Sequence, residues 1–243
     1  MKKLRRLTEP EVIAEFLRGE YFHHEYDVDR DGFSSVVQHP DLSDATENEI
    51  RRALLFRRRD TMWWELPEDR QWWDLELEPA DVEQVRVFPR AQWRKISGGN
   101  FKVLEVAARI RQLKETEPNA FVDKIADICS KLQSDQPKGM IILLGLDEFR
   151  PVTLLEGNHR FVASLLAGGL DLLKNARVVG VFSPNMEKCC WYKTNLLTLS
   201  RCLKNRIKHY WDRDTDLARA LAARNKRHNI ASFAGSAGSI KSE

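Results

Sequence analysis

The chain has 243 residues, 42% hydrophobic and 31% charged, which suits a soluble globular protein with a sizeable core. Its net charge of +3 is nearly balanced, so no global field points to nucleic acid. The four cysteines, Cys129, Cys189, Cys190 and Cys202, show no C-x-x-C spacing, no apolar run approaches the roughly 18 residues of a membrane span, and "MKKLRRLTEPEV" lacks a signal-peptide core; reduced thiols, no membrane partner and a cytoplasmic location are expected.

Residues 1 to about 60 read as helical and charge-rich. Thr8 and Glu11 form a capping box ahead of Val12, Ile13 and Phe16. A second helix is expected near Asp44, with Glu47 completing the same box, through "NEIRRALLFRRRD". The intervening "HHEYDVDRDGFSSVVQHPDL" reads as loop. Two tryptophan pairs follow in "TMWWELPEDRQWWDLELEP". Trp73, Leu75 and Leu77 alternate with acidic residues, and "PEDR" is turn chemistry, so a hairpin is expected there. "VEQVRVFP" gives a third extended segment.

Helical spacing resumes at Asn100, an N-cap ahead of Phe101, Leu104, Ala108 and Leu113. Pro118 opens a further helix carrying Phe121, Ile125, Ile128 and Leu132. "GMIILLG" (139–145), "VTLLE" (152–156) and "ARVVGVF" (176–182) read as buried strands. The helix after Arg160 is apolar nearly all round and should be central. Ser183 and Pro184 look like an N-cap and first helical residue of a long helix through "EKCCWYKTNLLTLSRCLKN". A basic amphipathic helix, "DLARALAARNKRHNI" (216–230), and a small, polar, disordered tail (231–243) close the chain. The fold class expected is α/β (α+β), a small mixed sheet with flanking helices. The expected divisions are 1–78, a helical and hairpin segment; 79–183, the core; 184–230, C-terminal helices; and 231–243, the tail.

"DVDRDG" (27–32) matches the opening of a calcium loop, but its twelfth position is Gln38 where a bidentate glutamate belongs, and Ser34 replaces an apolar residue. A solvated acidic turn is favoured. His23, His24, Glu25 and His39 lack metal-site spacing and read as surface residues. Arg51, Arg52, Arg57, Arg58 and Arg59 could face a phosphate backbone; an internally paired or solvated face is favoured, so nucleic acid is a possible partner that is not preferred.

The most informative stretch is the strand-to-helix corner "LLEGNHRFVASLLAG". Helix N-termini expose unpaired N–H groups that hold anions. Gly157 permits close backbone approach, Arg160 can fork onto phosphate, and His159 can donate a hydrogen bond or move a proton. Glu156 can cap the turn, orient the histidine or hold magnesium between phosphates. A purely structural use is also open, with Asn158 as N-cap and Glu156 paired to Arg160.

"GNHR" resembles the "GNHE" box of calcineurin-like metallophosphoesterases, but that family's DxH and GDxxD boxes do not occur upstream. The corner also resembles the "DGxHR" signature of the ParB/sulfiredoxin-like superfamily. There the context agrees from about residue 82 to 182, from "VEQVRVFPRAQWRK" through the strand pair to "ARVVGVF". That superfamily includes partition proteins, sulfiredoxin and small free-amino-acid kinases. Sulfiredoxin carries its catalytic cysteine where this chain has Asn158, so cysteine relay chemistry is not implied, and no helix-turn-helix of the partition type follows residue 183.

The resemblance therefore implies a nucleotide-dependent enzyme that moves a phosphoryl group from ATP or ADP, with Mg2+, to a small metabolite or amino acid. Implied catalytic residues are His159, Arg160 and Glu156. Gly157, Asn158, His159, Arg160, Arg94 and Lys95 would hold the nucleotide, Arg90 is a further positional candidate clamp, and Glu156 would hold the metal. Asp147 and Glu148, in the turn after "GMIILLG", are candidates for a catalytic carboxylate outside the signature. Alternatives are a nucleotide-gated nucleic-acid-binding protein, and an enzyme that takes a carboxylate substrate or a metal at the corner without a nucleotide.

Overall fold

Six consecutive apolar residues, Met140–Gly145, form a strand buried along its whole length, and a mixed sheet is assembled around it. The computed structural model of the chain describes residues 1–116, 119–132, 139–209 and 217–223, the side chains of 58–61, 91 and 209 excepted. The strands are β1 (Lys2–Leu7), β2 (Gln71–Glu76), β3 (Val85–Arg86), β4 (Met140–Gly145), β5 (Val152–Glu156) and β6 (Arg177–Phe182). The helices are α1 (Glu9–Glu20), α2 (Asp27–Gln38), α3 (Ala45–Trp63), α4 (Ala91–Ser97), α5 (Val103–Thr116), α6 (Ala120–Leu132), α7 (Asn158–Ala167) and α8 (Leu196–His209). The strand order is β1-β2-β6-β4-β5-β3. No described helix is long and apolar enough to cross a membrane.

β4 runs parallel to β6 and antiparallel to β5. Ile141, Ile142, Leu143 and Leu144 have no exposed surface, and side chains pointing to both faces are covered, as a near-continuous apolar strand requires. Burying each such side chain contributes about 1.5–3 kcal/mol. The core continues through Val85, Val87, Val152 and Leu154 into Trp93 of α4, Ile110 of α5, Phe121 and Ile125 of α6, and Phe161 and Val162 of α7. Thr8 and Glu11 form the expected capping box at the start of α1: the Thr8 N–H donates to Glu11 Oε2 (2.6 Å) and the Glu11 N–H to Thr8 Oγ1 (3.4 Å). The backbone N–H of Thr8, with help from Arg5, holds the Glu11 carboxyl down to about 2.

The chain divides into two compact units, residues 1–12 with 65–203, and residues 13–64 with the described residues from 204 onward. The six strands, α4–α7 and all of residues 79–183 that are described lie in the first. In the second, Phe16 meets Trp63 edge-on at 5.6 Å. Arg51, fully buried, donates to the carbonyls of Val36 (2.9 Å) and Asp41 (2.7 Å) and pairs with Glu47 (3.1 Å).

Several local expectations change. β1 forms where a helical start was expected: "KKLRRL" is too charged for a buried strand, but at a sheet edge its cations meet β2, Lys2 on Glu76 (2.9 Å) and Arg5 on Asp74 (3.3 Å). The expected hairpin between the tryptophan pairs is absent. Trp63 ends α3 and is buried, while Trp72 and Trp73 lie in β2, between β1 and β6. Residues 85–86 alone of the third extended segment join the sheet, and the preceding Pro79–Gln84 is a 3₁₀ helix.

The polar stretch expected as loop contains α2, with Asp29, Phe33, Val36 and Val37 on its buried face. Its acidic residues therefore do not form a calcium loop. Asp29 instead pairs with Arg57 at 2.7 Å. Asp44 caps α3 through the N–H of Thr46 (2.7 Å), but Glu47 turns to Arg51, so only half of that box forms. No long helix starts at Ser183. Met186, Cys189, Cys190 and Trp191 are all buried; the first three have helical spacing but Trp191 falls outside that stripe, and α8 starts later at a reciprocal Asn195–Thr198 cap (2.9 and 3.0 Å). Asn119 caps α6 through the N–H groups of Phe121 and Val122. Pro118, residues 224–230 and the tail at 231–243 lie outside the described residues.

Gly32 gives a direct test of α2. An added Cβ there meets nothing within 4 Å, and glycine in a helix interior costs roughly 0.5–1 kcal/mol relative to alanine. Gly32→Ala should therefore raise the urea midpoint by an amount equivalent to about 0.5–1 kcal/mol. In a calcium-type turn, with glycine in a left-handed conformation, the same change would lower it.

Candidate active site at the strand-to-helix corner

β5 ends at Glu156 and α7 starts at Asn158, so one residue, Gly157, makes the whole turn. Its φ is +84°, and a Cβ built on it would lie 2.9 Å from Ile141 Cγ1 and 3.2 Å from Ile141 Cα. Both the backbone conformation and the contact with β4 thus exclude a side chain. Gly157 is also the N-cap of α7, a place the structural reading of the sequence gave to Asn158.

Asn158 is buried and tied at both ends of its amide. Its Oδ1 accepts the Phe88 N–H at 2.8 Å, and its Nδ2 donates to the Leu154 carbonyl at 3.3 Å. It clips the segment after β3 to the end of β5. A cysteine could not replace it, because a thiol is a weak donor and a weak acceptor.

The first helical hydrogen bond of α7 runs from the Phe161 N–H to the Gly157 carbonyl at 2.8 Å. The N–H groups of Asn158, His159 and Arg160 precede it and, by helix geometry, have no carbonyl of their own helix to meet. The Glu156 carboxylate folds back to accept the Gly157 N–H at 2.8 Å.

His159 packs between two aromatic rings, Trp93 at 5.0 Å and Phe121 at 5.4 Å, which themselves meet edge-to-face at 4.9 Å. Burial, with the positive charges of Lys124 and Arg160 adding to it, pushes the imidazole down to about 4. Near neutral pH it is an uncharged ring that offers one N–H donor and one acceptor. The Arg160 guanidinium crosses the start of β4, where Nη2 donates to the Met140 carbonyl at 2.9 Å. It lies over Gly139, whose φ is +68° and where a Cβ would collide with it.

Of the other sequence candidates, Arg94 and Lys95 are exposed on α4, the helix that carries Trp93 to the imidazole. Arg90 is directed elsewhere: its guanidinium stacks on Trp191 at 3.9 Å and reaches two cysteine sulfurs. Asp147 and Glu148 follow the far end of β4. Asp147 accepts the N–H groups of Phe149 and Arg150 (both 3.0 Å), and Glu148 pairs with Lys3 at 2.6 Å, so neither belongs to the corner. At that end a cavity of about 440 Å³ is lined by Arg150, Lys188, Lys193 and Arg201 among others; no corner residue lines it.

Trp93, Phe121 and Lys124 shape the imidazole's surroundings and are not legible as site residues in sequence. Their one local sign is the helical spacing that put Phe121 in a core. The four cysteines are unbridged, and burial pushes the Cys189 thiol up to about 12.

Comparison of the chain with protein-family models, with curated protein sequences and with solved structures returns no match.

Two measurements probe this geometry. Gly157→Ala should destabilise the protein by more than about 1 kcal/mol in urea unfolding, since the left-handed backbone alone costs roughly that much before any contact with Ile141. His159 has a depressed folded-state pKa, so the unfolded chain binds its proton first as the pH falls. Stability should therefore drop between about 6.5 and about 4. His159→Gln should flatten that part of the urea-midpoint profile; an unchanged profile would assign the acid sensitivity to other groups.

Proposed function

We propose that the protein binds a phosphorylated small molecule at the start of α7 and is an enzyme of phosphoryl transfer, with a nucleotide, ATP or ADP, as donor and a small metabolite or amino acid as acceptor. The reading is continuous with the resemblance of the corner and of residues 82–182 to the ParB/sulfiredoxin-like superfamily. Its site would be formed by Gly157, His159 and Arg160, with Asn158 holding the turn in place.

The observation that carries it is the positive charge acting on His159. Lys124 and Arg160 both act on the imidazole as positive charges, and the N-terminal end of α7 adds a partial positive charge of its own. An anion entering there meets three favourable contributions. The neutral imidazole can then donate a hydrogen bond to a phosphoryl oxygen without itself carrying charge, and Arg160 can balance charge that builds up on the transferring group. The guanidinium has five donors, so anchorage to the Met140 carbonyl is compatible with that role.

Glu156 is the carboxylate within the corner. Magnesium commonly binds through one or two carboxylates together with substrate phosphates, so the donor set is compatible with it. Bound there, magnesium would supply positive charge against the phosphate. Glu156 would supply one oxygen while continuing to accept the Gly157 N–H. A cytoplasmic location accords with this reading.

Calorimetric titration of ATP and of ADP, each with magnesium, tests the proposal on wild type, Arg160→Gln and His159→Ala, each checked for folding by far-UV circular dichroism. Wild type should bind, and Arg160→Gln should bind at least about tenfold more weakly, a loss of roughly 1.4 kcal/mol. Equal affinity in wild type and Arg160→Gln would remove the site assignment. Binding of simple carboxylates but of no phosphate compound would favour a carboxylate substrate in its place.

A further inference from the structure

Three side chains from distant parts of the chain converge inside the unit that holds the sheet. Glu65 lies in the turn after α3, Cys190 in the irregular segment that follows β6, and Cys202 in α8. All are buried, and one carboxylate oxygen and the two sulfurs lie within 4.8 Å of one another. Arg90 approaches from the side: Nη2 is 3.4 Å from the Cys190 sulfur and 3.6 Å from that of Cys202, while the guanidinium plane rests on Trp191 at 3.9 Å.

A thiol is a weak acceptor, whereas a guanidinium is a permanent cation whose usual buried partners are carboxylates and carbonyls. One guanidinium nitrogen placed against two sulfurs suits a pair of thiolates. Two thiolates and a carboxylate converging in one buried place favour a cation among them.

We propose that Glu65, Cys190 and Cys202 bind a soft divalent cation of the zinc class, with Arg90 bridging the two sulfurs from outside the ligand shell. Binding breaks the two S–H bonds, and both protons leave to solvent; no oxidant or reductant is required. Thiolate ligands select zinc-class ions over magnesium and calcium, which prefer oxygen. Tetrahedral zinc has bonds of about 2.3 Å to sulfur and about 2.0–2.2 Å to oxygen, a size that three ligand atoms within 4.8 Å of one another can enclose. A fourth position is left for water.

The place in the fold gives the ion a structural task. Met186, Cys189, Cys190 and Trp191 are buried in a segment whose regular structure is a single short 3₁₀ turn, Met186–Lys188. A cation joining Cys190 to Cys202 and Glu65 would fasten it to α8 and to the entry of β2. The site is separate from the corner at Gly157 and stands independently of the function proposed there.

Cobalt titration of the full-length chain, followed by absorption and combined with elemental analysis of the purified protein, tests the proposal. Wild type should take up about one equivalent of cobalt, with a thiolate-to-metal charge-transfer band that zinc abolishes. Cys190→Ser and Cys202→Ser should lose the band, and Cys129→Ser, altered outside the cluster, should keep it. Arg90→Gln should retain the band with affinity lower by about 10- to 100-fold. The wild-type result does not depend on any variant folding. Folded wild type with no such band overturns the proposal, and so does a mass two hydrogens short with Cys190 and Cys202 joined as a disulfide.

Discussion

The approach of Gly157 to β4 governs the arrangement of the corner. Because the Gly157 Cα faces Ile141 without a side chain between them, β5 can turn into α7 in one residue while still packed on the central strand. That short turn sets where the helix begins and so where its first side chains fall. His159 is delivered between Trp93 and Phe121, and Arg160 is delivered across the start of β4. A longer turn would move both away from the sheet and leave the imidazole in water. The neighbouring glycine at 139 answers the same need from the other side, by making room for the guanidinium.

Asn158 extends this constraint to a third element. By pairing with the Phe88 N–H and the Leu154 carbonyl, it satisfies one backbone group where β3 gives way to α4 and another in β5, and leaving either group unsatisfied in the interior would cost about 1–3 kcal/mol. The Phe88 ring in turn stacks on Trp191 at 4.7 Å. The corner is thus held by backbone and amide contacts, and His159 and Arg160 occupy defined positions with little freedom of their own. Groups placed in advance lose less entropy when a ligand arrives.

The parts of the fold legible in the sequence are those decided by local pattern. The apolar runs at 140–145, 152–156 and 177–182, the helical spacing of Phe121, Ile125 and Leu132, and the Thr8–Glu11 box all correspond to elements of the structure. The illegible parts depend on partners remote in sequence. Nothing within "KKLRRL" reveals a strand, because its cations are matched by acids about seventy positions away. Nothing within "DVDRDG" shows that Asp29 will be buried against Arg57, although the spacing of Phe33, Val36 and Val37 carried the helix. In the corner, the types of residue were visible and their duties were not. The neutrality of His159 comes from Trp93, Phe121 and Lys124, and the clip made by Asn158 needs Phe88. The meeting of Glu65 with Cys190 and Cys202 joins three segments that no local pattern links, beyond the unusual adjacency of Cys189 and Cys190.

The two margins of the sheet have one further consequence. β1 ends the sheet on one side with Lys2, Lys3, Arg5 and Arg6 along its length and a bulge between Lys3 and Arg5. β3 ends it on the other with only two paired residues, and Lys102 bridges to Arg86 beyond it. A free strand edge is a template on which a second chain can add its own strand, and charge, irregularity and shortness each spoil the template. The apolar strands that would stack most readily, β4, β5 and β6, all have strands on both sides. Growth of the sheet from one molecule into the next is therefore blocked at both margins, and the most aggregation-prone sequence in the chain is kept at the centre, where it meets only itself.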